Sequence, residues 1–90
     1  MKTTGNTFPV TCTNANTEYP LALDGATSLF VQARAADCKV AHHAGDIANG
    51  NYMTLKAATP PRKISDLTGP RTLYFASTTA GAVVEVEVWL

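Results

Sequence analysis

The chain has 90 residues, 46% of them hydrophobic, and seven basic residues balance seven acidic ones to a net charge of zero. That length holds one small domain with a single core, and the apolar fraction is that of a folded chain rather than a disordered one. A neutral chain without a basic cluster excludes the usual nucleic-acid binder, whose affinity rests on neutralised phosphates. No apolar run is long enough for a membrane-spanning helix, so neither nucleic acid nor membrane is expected as a partner.

Residues 1–7 carry one lysine followed by polar residues. They lack the apolar segment of a secretory signal, which points to synthesis in the cytoplasm. They are expected to form a flexible N-terminal arm containing Thr3 and Thr4, ahead of a single β domain over residues 8–90. Phe8-Pro9-Val10-Thr11-Cys12 alternates, with Phe8, Val10 and Cys12 on one face, and Pro9 places this strand at a sheet edge or has it start only after the proline. Asn14 to Thr17 has turn composition. Tyr19, Leu21 and Leu23 share the face of a second proline-bearing strand, ended by the Asp24-Gly25 turn signal.

From Ser28 onward, Leu29, Val31, Ala33 and Ala35 alternate inward, while Gln32 and Arg34 point outward. Phe30 is the misfit, an aromatic on the outward side that suits a second covered surface. Cys38 to His42 alternates again. Residues 44–50 read as a loop closed by Asn49-Gly50, a strong hairpin dipeptide, and Asn51 to Lys56 as a strand with Met53 and Leu55 inside. Pro60-Pro61 excludes regular helix or a central strand across residues 57–63, and a solvated loop is expected there. Ser65 to Gly69 suits one helical turn.

Arg71 to Ser77 and Ala82 to Trp89, joined by Thr78-Thr79-Ala80-Gly81, read as an antiparallel hairpin. Val84, Val86 and Val88 lie on one face of the last strand, Glu85 and Glu87 on the other. About six or seven short strands with turn chemistry between them make the chain all-β: a single small antiparallel β-sandwich or β-barrel closing with a C-terminal hairpin.

Little in this pattern carries chemistry. Cys12 and Cys38 are too few for a disulfide scaffold and lack metal-ligand spacing. Two buried free thiols are expected, with one bridge as the alternative. His42-His43 with Asp46 hints at a metal, but adjacent residues on a strand point to opposite faces, so no metal site is expected. Ser28, Ser65 and Ser77 have no nucleophile elbow. The chain therefore reads as a non-enzyme with no catalytic residues and no cofactor. Tyr19, Tyr52 and Tyr74 read as half-buried packing rather than sugar-stacking platforms, and Glu85 and Glu87 as a guard against edge pairing. Contact candidates are Thr3 and Thr4 of the arm, Phe8, the basic pair Arg62 and Lys63, and Trp89-Leu90, an apolar pair that suits an assembly interface unless it folds back on the core.

The run from Leu73-Tyr74-Phe75-Ala76-Ser77 through Ala80-Gly81 to Val84-Glu85-Val86-Glu87-Val88-Trp89 resembles the ending of small β-rich structural proteins of tailed-bacteriophage virions. Asn51-Tyr52-Met53-Thr54-Leu55 and the proline loop after it resemble their middle portion. The likeness covers about the last forty residues and is a structural pattern, not a chemical fingerprint. It implies a capsid decoration or cement protein at the virion surface that bridges subunits of the major capsid protein. It further implies a homo-oligomer, a trimer, with residues 1–7 as an arm over neighbouring subunits. A carbohydrate- or receptor-binding module on the virion and a tail or connector component are the alternatives.

Overall fold

The structure, a computed structural model, describes residues 5–23, 28–64 and 71–89. In chain order the strands are β1 (Gly5–Cys12), β2 (Tyr19–Leu23), β3 (Ser28–Ala33), β4 (Cys38–Ala41), β5 (Met53–Leu55), β6 (Arg62–Ile64), β7 (Arg71–Ala76) and β8 (Ala82–Trp89). They form two four-stranded antiparallel sheets, ordered β1-β8-β3-β6 and β2-β7-β4-β5. The sheets pack face to face as an open sandwich rather than a closed barrel, and no helix occurs among the described residues. The all-β class is as expected, but there are eight strands rather than six or seven. The additional one is β6, where a loop was expected: Pro60 and Pro61 lie just before it, and three residues suffice for an edge strand beside β3.

Alternation builds the core. Val84, Val86 and Val88 of β8, Leu73 and Phe75 of β7, and Leu29, Val31 and Val40 join in one cluster between the sheets, all at most 6% exposed. Cys12 and Cys38 are buried in the same core as free thiols. Burial pushes both thiols up, Cys12 to about 11, so each stays a neutral thiol that packs as a small hydrophobe.

The expected closing hairpin does not form. β7 pairs with β2 and β4, and β8 pairs with β1 and β3, so the two strands lie in opposite sheets. The connection crosses the sandwich because its backbone groups find partners elsewhere. The Ser77 carbonyl accepts from Asn16 N–H at 2.7 Å and Gly81 N–H donates to the Cys12 carbonyl at 2.7 Å. Gly81 sits at φ +79°, the left-handed region that glycine enters without strain. Ser77, buried at 1% exposure, donates to the Asp37 carbonyl at 2.8 Å and accepts from Thr79 N–H at 3.1 Å, which completes this end of the molecule. Among the described strands, only β4 and β5 are both consecutive in sequence and neighbours in a sheet. Their connection is longer than a tight hairpin, with Asn51 N–H bonded to the Asp46 carbonyl at 2.8 Å and Gly50 at φ +86°.

Other expectations change at strand ends. Gly5 to Thr7, expected in the arm, open β1 opposite Trp89 to Glu87. Ala35 is exposed because β3 ends at Ala33. Met53 shares the inner side of its sheet with Leu55 but starts an edge strand and is 48% exposed. The Asp24-Gly25 turn, the Ser65 to Gly69 turn, Thr3, Thr4, the rest of the arm and Leu90 lie outside the described residues. All four sheet edges are blunted: β1 and β2 each carry a proline, the edge place of β1 being one of the two readings of Pro9, and β5 and β6 are three residues long.

A candidate docking surface

The edges are blunted, and the two outer faces of the sandwich differ. On the β1-β8-β3-β6 sheet, register sets the outward side chains in rows. Thr7, Glu87, Phe30 and Lys63 form one row, Pro9, Glu85 and Gln32 the next, and Gly5, Trp89 and Ser28 lie beyond the first. Directly opposed side chains have Cβ atoms about 5 Å apart, so each row is a line of contacts.

Glu85 is held from both sides. Gln32 Nε2 donates to one carboxylate oxygen at 2.6 Å and Arg34 Nε to the other at 2.9 Å. The Gln32 amide first, and then Arg34, draw its carboxyl below the usual carboxylate range. Glu87 takes a different partner, the Trp89 indole, whose Nε1 donates at 2.9 Å. That indole lies flat on Gly5: a Cβ at Gly5 would stand 2.9 Å from the ring. Trp89 therefore folds back on β1 and is half-buried rather than a free apolar end. Phe30 is half-buried beside Glu87, with Lys63 Nζ 6.0 Å from its ring centroid. Thr7, Phe30, Gln32, Pro61, Glu85 and Glu87 line an open concavity of about 400 Å³ on this face.

On the β2-β7-β4-β5 sheet the chain covers itself. The β4–β5 connection turns back, and Gly45 N–H donates to both carboxylate oxygens of Glu18, at 3.1 and 3.0 Å. Ala41 and Ala76, outward by strand parity, are both 2% exposed. Lys39 stands 4.6 Å from the Tyr52 ring centroid. His42, His43, Asp46, Tyr52, Met53 and Arg71 line a second concavity at the end of this sheet. Among the described residues no three potential ligands gather as a metal site.

The expected contact residues are thus divided. Lys63 and Trp89 lie on the open outer face. Arg62, the neighbour of Lys63, has opposite parity and lines the gap between β5 and β6. Phe8 faces inward opposite Val86 and packs against the core, so its ring forms part of the fold rather than the contact surface. Sequence reasoning missed Gln32, Arg34 and Glu18 as organisers. Phe30 was visible as an apolar residue on a polar face. No family model, curated protein or solved structure matches the chain, so the likeness to virion proteins stands on the residues that carry it.

Proposed function

We propose that this chain is a non-enzymatic structural protein of a tailed-phage virion, a decoration or cement protein that docks on the major capsid protein. It works as a homo-oligomer, a trimer by the resemblance. The observation that carries the docking mode is the asymmetry of the outer faces. One is occupied by the chain's own loop, whereas the other is left open by the described residues, ordered by its own hydrogen bonds and furnished with Phe30 and Trp89. Side chains already fixed before contact lose less entropy on binding, and aromatic residues are enriched in protein interfaces. The residues behind the resemblance build β7 and β8, which are central in their sheets. By mass action, a protein that binds only the assembled shell stabilises it.

The test is heat release of DNA from particles with and without the protein, alongside cryo-electron microscopy of the decorated particle. Release at lower temperature without the protein, with the β8 face against the shell, is the expected result. Equal thermal stability would overturn the cement role. A low copy number would indicate a tail or connector component, and glycan binding at the Phe30 concavity a receptor-binding module.

A further inference from the structure

We infer that the concavity between Glu87 and Phe30 is a receptor for an arginine side chain presented by a partner protein. The reason lies in how the two glutamates of this face are balanced. Glu85 is answered by a cation, Arg34, and by the Gln32 amide. Glu87, two residues on and also half-buried, is answered by the indole of Trp89, which carries no charge. Among the described residues no cation lies within ion-pair distance of it. The indole nonetheless fixes the carboxylate's position, so one of its oxygens is oriented before any ligand arrives.

The surroundings select the kind of cation. Glu87 and Phe30 are directly opposed across β8 and β3, which puts a carboxylate and an aromatic ring side by side. A guanidinium pairs with a carboxylate through its planar fork and stacks on a ring face, whereas an ammonium is a strongly hydrated point charge. Phe30 already has a cation near it, since Lys63 Nζ stands at 6.0 Å, the outer limit of a cation–π contact. Pro61 and Thr7 complete the wall, apolar ground for the methylene stem of the incoming side chain. The volume of about 400 Å³ is ample for one such side chain. A neutral saccharide would use the ring and the polar rim but leave the charge of Glu87 unanswered.

This inference rests on the docking reading only for the partner's being a protein, and its test needs no particle. The full chain is titrated with an end-blocked Gly-Arg-Gly peptide and followed by the Trp89 indole N–H signal and the backbone amides of Phe30 and Gln32. A saturable shift is expected. The citrulline counterpart, the same shape without the charge, should bind at least about tenfold more weakly, as should arginine peptide to Glu87→Gln, in line with the loss of a charge-assisted pair. Glu87→Gln keeps an acceptor for Trp89, so an unchanged indole signal in the free variant shows that the face is intact. Equal binding of arginine and citrulline peptides overturns the inference, and so does undiminished binding by Glu87→Gln. So too does a response to maltotriose without one to arginine, or to neither. If the arginine peptide fails while the protein still decorates particles, only the receptor groove falls. If it binds and no particle association exists, only the docking reading falls.

Discussion

The two outer faces of this sandwich solve the same problem in opposite ways. A sheet with one face on the core must do something with the other. Behind β7 and β4 the chain lays its own β4–β5 connection over the sheet and ties it down with a single carboxylate, Glu18, on the Gly45 amide. Behind β8 and β3 none of the described residues forms such a cover. Instead Gln32, Arg34 and Glu85, and separately Trp89 and Glu87, hold one another in place in the open. The first arrangement hides surface, and the second keeps surface available while restricting its side chains. Under the docking proposed above, blunted edges and a pre-ordered face would let the molecule meet its partner flat on.

The largest expected effect separates the shared core from that open face, with a pair of phenylalanines. Phe75 is fully buried between the sheets, and Phe75→Ala should cost about 3–5 kcal/mol, most of the stability of a domain this size. Phe30 is half-buried on the outer face, and Phe30→Ala should cost about 1 kcal/mol or less. Denaturant unfolding of both variants measures the difference. Similar losses would show that Phe30 is structural and that the open face is not held in reserve for a partner.

How much of this was legible in the sequence depends on which forces wrote it. Period-two alternation in β1, β3, β7 and β8 places the core, because each of those strands buries one side, and Pro9, with its missing N–H group, points to an edge for β1. The same alternation does not say which sheet a strand joins. Thr78-Thr79-Ala80-Gly81 has the composition of a hairpin turn, yet it crosses the sandwich. The partners that decide this, the Asn16 amide and the Cys12 carbonyl, come from the β1–β2 side of the fold, more than sixty residues away. β6 was hidden by the two prolines before it. Of the candidate surface, Phe30, Lys63 and Trp89 were visible as residues out of keeping with their surroundings. Gln32, Arg34 and Glu18 look like ordinary solvated side chains until register brings Gln32 opposite Glu85 and folding brings Glu18 to Gly45.

A middle-sized effect tests the covered face. In Glu18→Ala the Gly45 amide loses both acceptors, a part-buried loss of about 0.5–1.5 kcal/mol. Hydrogen exchange of the Gly45 amide should accelerate, while the amides of Gln32 and Val86 on the opposite sheet keep their protection. If Gly45 exchanges at the parental rate, the loop is held by something other than Glu18, and the contrast between the faces loses its stated cause.

The smallest effect belongs to the open face and appears on the acid side. Hydrogen bonds from Gln32 and then Arg34 hold the Glu85 carboxyl below its ordinary value of 4.5. A carboxyl depressed in the folded state releases its proton more readily there than in the unfolded chain, so its stabilising contribution is present above pH 4.5 and is lost as pH falls through the folded value. The group is half-buried and still reached by solvent, so screening keeps that contribution small, and the sensitive readout is local rather than global. The side-chain amide signal of Gln32 and the Nε–H of Arg34 should hold steady down to pH 4.5 and move together only below it, and Glu85→Gln should abolish that movement. Movement that begins above pH 4.5 would mean that the clamp does not favour the ionised form. The ordering of the open face would then have to come from Trp89 and Glu87 alone.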